Sequence, residues 1–548
     1  MKIEITKLNY KDYTSLDIVA FSHSFIGACG EGGAIIMVAA DGCIYHTNFV
    51  EQHFTEKEIE QICPPIRKCK FGLCEYGEVP HGWHYVDLGM GNHLVVNDCC
   101  WSSFEKAIEH MPDVGDIYQN WLHLIQEIVS KPQIEIHIHR GGNQIGGCIT
   151  EITTAQSRIL IDLGSNLPGS NAKELSAEQI AEVTSGADAV FYTHYHGDHV
   201  GLFRFVPDSI PQYIGEGALE IMKCKYEVLS RHENKEQELF AINRMKTYQA
   251  NSPMQIGDIR ITPYYCCHSA FDAYMFKIET QGKVILHTGD FRRHGYLGKA
   301  LDGVLKKYIG QVDILITEGT MLSRSREKVL PESAIQQNAI EVLKRHKYVF
   351  ALCSSTDMER LASFHAACQK TARVFCCDGY QKSILDVFTK HTEAKLLQFT
   401  DTFKLTDYKA RNVKHKLKNE GFLMPVRGSQ LNLIKAMMQV YDDEPAYLIY
   451  SMWQGYHNGK EENRIPAVIE IRKLFGSRIF DGTKDGFHTS GHADVQTLRH
   501  LCQLVRPRMG VVFIHKEAQT SGKALHLSSD IHVVEKDEWN QQVTIKLN

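Results

Sequence analysis

The chain has 548 residues, 43% hydrophobic and 23% charged, with a formal net charge of −5 from 60 basic and 65 acidic side chains. That length exceeds one hydrophobic core, so two to four domains are expected, and the composition excludes a disordered or fibrous chain. The balanced charge excludes a globally basic nucleic-acid binder but not a local basic channel, and no apolar run reaches a membrane span.

From the N-terminus, "MKIEITKLNYKDYTS" lacks the charged-then-apolar layout of a signal peptide. The 16 cysteines include the vicinal pairs Cys99-Cys100, Cys266-Cys267 and Cys376-Cys377, which suit reduced thiols better than a disulfide framework. A cytoplasmic protein with no membrane partner is expected. Residues 1–132 read as a separate α+β domain of unknown role. "GEGGAIIMVAADGCIYHTNF" predicts a hairpin around Asp41-Gly42, "GWHYVDLGMGNHLVVND" a second strand pair, and "GDIYQNWLHLIQEIVS" an amphipathic helix ended by Lys131-Pro132. Cys63, Cys69, Cys74, His81 and His84 invite a zinc reading that their spacing, without CxxC regularity, does not support.

After residue 132, strands and helices interleave. "QIEIHIH", "SRILIDLG", "ADAVFYT", "MFKIET", "KVILHTG" and "VDILITE" are strand-like, whereas "AKELSAEQIAEV" and "GALEIMKCKYEVL" are helix-like. A second αβ series follows residue 320: "ESAIQQNAIEVLKRH", "YVFALCS", "MERLASFHAACQK" and "ARVFCCD". The alternation predicts helices packed on sheets. The polar stretch "GKEENRIPA" (459–467) is the expected exit from that series.

The chemistry concentrates in "FYTHYHGDHV" (191–200), which follows the apolar run "ADAVFY". Residues two apart on an extended backbone share a side, so His194 and His196 can converge on one ion at a strand end. Gly197 permits a turn that sends Asp198 and His199 elsewhere, towards a second ion. Imidazole and carboxylate suit zinc, manganese or iron rather than calcium. Burying four such groups without ions would be costly. Two sites need more ligands, and His268, Asp290 and His515 each close an apolar strand. Any one of these could instead be an ordinary polar strand end.

"THYHGDH" resembles the HxHxDH signature of the metallo-β-lactamase fold, an αββα sandwich with its metals at one edge. "RGGNQIGG" (140–147) is similar to that family's glycine-rich opening, His268 in "CHSAFDAY" to its later metal histidine, and Asp290 in "TGDFR" to its bridging aspartate. The resemblance implies one ion on His194, His196, His268 and Asp290, and another on Asp198, His199, Asp290 and His515. Two divalent cations are expected, zinc first and manganese as the alternative, with a bridging water as nucleophile.

The interval from Asp290 to His515 resembles the insertion of the β-CASP branch, which includes ribonuclease J and the endonuclease of mRNA 3′-end processing. Glu318 in "ILITEGT" is similar to its motif A, His492 in "HTSGHAD" to motif B, and His515 in "GVVFIH" to motif C, where histidine goes with RNA and valine with DNA. The implied fold is α/β: a metallo-β-lactamase sandwich in two parts, 133–325 and 471–548, around an insertion at 326–470. Asp198, Glu318 and His492 form the expected catalytic set, with His492 as proton donor to the leaving group. Glu318 suits orientation of a histidine better than proton transfer. His488, Ser490 and His492 are expected to bind phosphate. Taken alone, "SGHAD" also suits a helix start with Ser490 capping and Asp494 in the first turn. His287 and His294 are read as supporting or surface residues, and Arg292-Arg293 as a solvated pair. The expected activity is hydrolysis of single-stranded RNA, with a homodimer and RNA entry assigned to the N-terminal domain. A small-molecule ester, thioester or lactone hydrolase and a DNA-directed β-CASP nuclease are the alternatives.

Overall fold

The computed structural model describes the backbone of five strands within the first 97 residues, then residues 134–535 apart from 171 and 328, and strand Val543–Leu547. Contacts divide the chain into two units, 1–135 with 153–156 and 545–548, and 136–152 with 157–544.

In the first unit the strands form one sheet in the order Ile44–Asn48, Ala34–Ala39, Leu16–Ser22, Asn92–Asn97, Trp83–Gly89. Both expected hairpins are there as antiparallel pairs, Ala34–Ala39 with Ile44–Asn48 and Trp83–Gly89 with Asn92–Asn97. The expected helix around Trp121 and the positions Cys63, Cys69, Cys74 and His81 lie outside the described residues, as does the side chain of His84.

The second unit holds three sheets. In the first, strands Lys246–Tyr248, Gln212–Gly215, Ala189–Phe191, Arg158–Ile161, Ile149–Thr154 and Ile134–Arg140 lie side by side in that order. In the second the order is Met254–Ile256, Ile259–Tyr265, Tyr274–Thr280, Lys283–His287, Ile314–Glu318, Gly510–Ile514, Val533–Val534. Its neighbours Lys283–His287, Ile314–Glu318 and Gly510–Ile514 are parallel. Every residue of the latter two is buried, which is why they read as unbroken Ile, Leu, Val and Phe runs.

The third sheet is the αβ series of the insertion, all parallel: Phe403–Lys404, Val374–Cys377, Phe422–Val426, Tyr348–Leu352, Ala446–Tyr450, Ile479–Phe480. The sheet thus takes in a strand that lies past residue 470. Helices Glu332–Arg345 and Met358–Thr371 bury Ile335, Ala339, Leu343, Leu361 and Phe364 in one apolar cluster with Leu160, Val190 and Ile214 of the first sheet. The insertion therefore shares its core with the part of the chain that precedes it.

Candidate metal centre

Five strands deliver polar side chains to one edge. Ala189–Phe191 runs into His194 and His196, and the short helix Gly197–Val200 carries Asp198 and His199. Strands Ile259–Tyr265, Lys283–His287, Ile314–Glu318 and Gly510–Ile514 lead to His268, Asp290, Glu318 and His515.

All seven residues expected as metal ligands meet there. Asp290 Oδ2 is the common point, 3.1 Å from His199 Nε2, 3.8 Å from His515 Nε2, 3.9 Å from His268 Nε2 and 4.0 Å from His194 Nε2. His515 Nε2 is also 3.0 Å from Asp198 Oδ2. His196 Nδ1 lies 3.2 Å from His268 Nε2.

The hydrogen bonds on the far side of four of the rings fix which nitrogen faces inward. His199 Nδ1 is 2.7 Å from Asp162 Oδ2, and a carboxylate there accepts. His268 Nδ1 donates to the Gly491 carbonyl at 2.8 Å. Thr193 Oγ1 gives its hydrogen to Asp162 Oδ2 at 2.9 Å, so it accepts from His194 Nδ1 at 3.0 Å. Thr320 Oγ1 donates to the His515 carbonyl at 3.2 Å and accepts from His515 Nδ1 at 2.7 Å. In these four rings the hydrogen is thus used at Nδ1, and four Nε2 lone pairs converge on carboxylates that are acceptors as well; His196 instead presents Nδ1 to the cluster. His194 Nε2, His199 Nε2 and Asp290 Oδ1 are buried with no hydrogen-bond partner. Acceptor facing acceptor in a buried space is unfavourable unless cations lie between them. The donor set fits divalent transition metals: His194, His196 and His268 group within ligand range, as do His194, His199 and Asp290.

Electrostatics agree with that fit. Burial, with neighbouring imidazoles adding to it, pushes His194 and His268 well below the ordinary histidine range. Burial takes His196 down to about 4 against the pull of Asp198 and Asp290. The shifts favour the neutral form of these three, the form that ligates. Burial alone would raise Asp198, but His515 and His199 outweigh it and hold the carboxyl down. His199 is shifted up because Asp290 overrides the effect of burial; a proton and a cation compete for that one lone pair.

Glu318 and His492 sit beside the cluster. Glu318 Oε1 accepts from the backbone N–H groups of Phe291 at 2.9 Å and Ala493 at 3.2 Å. Its Oε2 lies 2.9 Å from His492 Nδ1, and Asp290 Oδ2 lies 3.6 Å from the same nitrogen. Burial disfavours a charged His492, yet Glu318 and Asp290 outweigh it and raise its pKa above the ordinary value. The expected phosphate residues divide. Ser490 is buried, its Oγ accepting from His492 N at 3.1 Å and its carbonyl from His294 Nε2 at 2.7 Å. His488 is partly buried, with an unpartnered Nδ1, and burial followed by Arg360 brings it down to about 3. The helix after this loop is capped by Asp494, which accepts from Thr497 N at 2.7 Å, not by Ser490.

One expectation is corrected. Arg292 is not solvated with Arg293; it is fully buried, 3.0 Å from Glu332 and 2.8 Å from Glu359. Two carboxylates from the insertion helices make that burial tolerable. Arg293 is exposed against Asp302. His287 is buried at 3.3 Å from Thr150 Oγ1. Residues that sequence reading missed are Asp162, Thr193 and Thr320, which orient the histidines. Asp162 had a signal, since it closes the run "RILID" as Asp290 and Glu318 close theirs.

Two of the three sheets, with histidines and aspartates meeting at one strand edge, have the metallo-β-lactamase arrangement, and a model of the beta-lactamase superfamily domain matches residues 157–353. The chain's Glu318–His492–His515 constellation and αβ insertion resemble the β-CASP pattern, and the curated relatives it matches are ribonucleases J. It is 21% identical to ribonuclease J of Mycoplasma genitalium over 444 residues, 75% of this chain and 73% of that protein. It is 25% identical to ribonuclease J of Helicobacter pylori over 177 residues, which is 31% of this chain and spans only a quarter (25%) of that relative's length. Identity to ribonuclease J of Synechocystis is 23% over 64% of this chain and 56% of that protein. A solved structure of a protein of unknown function from Enterococcus faecalis V583 shares the fold, with TM-score 0.57, 17% identity and coverage of 75% of this chain and 100% of that one.

Proposed function

We propose that this chain is a metal-dependent ribonuclease that hydrolyses phosphodiester bonds of single-stranded RNA at the centre described above. The observation that carries the reading is His492, a proton-bearing side chain 2.9 Å from Glu318 and 3.6 Å from Asp290, at the rim of a two-cation ligand set. The similarity to proteins named ribonuclease J supports RNA over DNA or small esters. His194, His196, His268 and Asp290 would hold one cation, and Asp198, His199, Asp290 and His515 the other. When bound, the pair supplies positive charge for phosphoryl oxygens and acidifies solvent for attack.

The chain's own groups do the rest. Glu318 takes the Nδ1 side of His492 and leaves Nε2 to hold a proton for the departing oxygen. Because the same carboxylate binds the N–H groups of Phe291 and Ala493, it also fixes the loops carrying Asp290 and His492. Partly exposed His488 can hydrogen-bond a phosphate, while Ser490 acts through its hold on the His492 backbone. A cytoplasmic location fits the free thiols, since every cysteine among the described residues is unpaired. Among the same residues, no helix is long and apolar enough to cross a membrane.

The test offers purified protein, loaded with zinc or manganese, labelled single-stranded RNA, matching DNA and a generic ester. RNA cleavage is expected. His492→Ala should lower kcat about 100-fold or more with bound metal unchanged, whereas Asp198→Ala should lose activity and metal together. Ester turnover with inert RNA would overturn the proposal in favour of a small-molecule hydrolase, and DNA cleavage alone would redirect it to DNA.

A further inference from the structure

One buried side chain at the centre has no part in the ligand sets assigned so far. Cys148 follows the glycine-rich turn, is 1% exposed, and groups with His199 and His515 so that Sγ and one ring nitrogen of each lie within 4.8 Å of one another. Among the described residues no other cysteine joins such a grouping. Its position is held from three directions. Cys148 N donates to the Asp198 carbonyl at 3.0 Å, and the Cys148 carbonyl accepts from Gly164 N at 3.0 Å. A Cβ on Gly141 would come within 2.9 Å of the Cys148 sulfur, and the Gly141 carbonyl accepts from His515 N at 2.7 Å. A glycine at 141, with φ of +91°, thus leaves room for the thiol and pins it beside the histidine loop. His199, with which the sulfur groups, has a buried Nε2 without a hydrogen-bond partner.

We infer that Cys148 is a sulfur ligand, alongside His199 and His515, of one of the two cations. The inference rests on the metal-centre reading above and deepens it. On binding, the S–H bond breaks, the sulfur electron pair forms the bond to the metal, and the proton leaves to water. A thiolate is a soft donor, so it biases the position it serves towards zinc and against manganese.

The probe is cobalt(II), added to the full chain and to Cys148→Ser, with Cys148→Ala as a second variant and circular dichroism as the check on folding. The wild-type chain should show a thiolate-to-cobalt charge-transfer band in the near ultraviolet, and both variants should lose it while still binding cobalt. With zinc, X-ray absorption should find a sulfur neighbour at about 2.3 Å in the wild type only. Zinc should be extracted by a chelator about tenfold more readily from the variants, and manganese should compete better. Cobalt bound without the band overturns the inference and leaves the centre standing. A band that survives in Cys148→Ser puts the thiolate elsewhere and overturns it too. If no cobalt binds at all, the metal-centre reading fails and takes this inference with it. Should neither variant fold, the wild-type spectrum decides: zinc without a sulfur neighbour rejects Cys148.

Discussion

Asp162 does two jobs that a surface carboxylate could not. It accepts the Nδ1 hydrogen of His199 at 2.7 Å and the Thr193 backbone N–H at 2.7 Å, and it is entirely buried. The residue has φ of +61°, in the left-handed region where Asp and Asn are tolerated better than other L-residues. Asp162→Ala should therefore weaken metal retention about 10- to 100-fold, as loss of such an orienting partner does, and leave a buried donor unpaired. Asp162→Asn keeps an acceptor and the backbone preference, so its loss should be clearly smaller. Chelator competition followed by elemental analysis measures both. Equal losses in the two variants would mean that the orientation of His199 is not what Asp162 supplies.

At the scale of elements, the ligand edge depends on close approach of backbone segments. A Cβ on Gly164 would lie 1.7 Å from the Asp198 carbonyl oxygen, so strand Arg158–Ile161 and helix Gly197–Val200 can meet only because the side chain is absent. Gly164 N also donates to Cys148 O, and Leu163 N to His199 O at 2.7 Å. Gly164→Ala should displace the Asp198–His199 turn. We expect a cost of about 2 kcal/mol or more in urea unfolding, together with loss of metal. A stable, fully metallated Gly164→Ala protein would contradict that packing. Glu318 works at the same scale, since one carboxylate ties the loop after strand Lys283–His287 to the loop before helix Val495–Val505.

Across the whole second unit, the insertion is joined to the centre by buried charge. Glu332 bridges Arg292 at 3.0 Å and Arg360 at 2.9 Å, with all three side chains 0–1% exposed. Removing one partner strands the others, so Glu332→Ala should cost about 3–5 kcal/mol. Because Arg292 lies two residues from Asp290 and its N–H donates to the Cys267 carbonyl at 2.7 Å, metal retention should fall as well. The pH response follows. Burial alone would raise Glu332, but Arg360 and Arg292 bring it from the usual 4.5 down to about 2. A depressed folded-state pKa adds stability that is present above 4.5 and lost as pH falls towards 2. Asp357, lifted by burial from 3.8 to about 6 despite Arg360 and Arg292, acts in the opposite sense above pH 3.8. Asp357 becomes protonated in both states as pH falls below 3.8, but Asp198, Asp290 and Asp443 are also held low, so the comparison with Glu332→Gln is what isolates Glu332. The urea midpoint should fall more steeply there in the wild type than in Glu332→Gln. Parallel slopes would remove Glu332 as the cause.

The sequence alone picked out the strand-end histidines and aspartates that the structure brings together. His194, His196, Asp198 and His199 are neighbours in the chain, and a period of two followed by a tight turn already sends them to two positions. His268, Asp290 and His515 were legible because each closes an apolar run, and parallel strands bring such ends to one edge. The tertiary structure decided which nitrogen of His194, His199, His268 and His515 faces the cluster, through Thr193, Asp162, the Gly491 carbonyl and Thr320, all but Thr193 remote in the chain from the ring they orient. It also decided that Arg292 is buried, by supplying Glu332 and Glu359 from helices of the insertion. Local periodicity records where a side chain points. Hydrogen-bond partners and counter-charges are chosen by proximity in space, which neither spacing nor composition encodes.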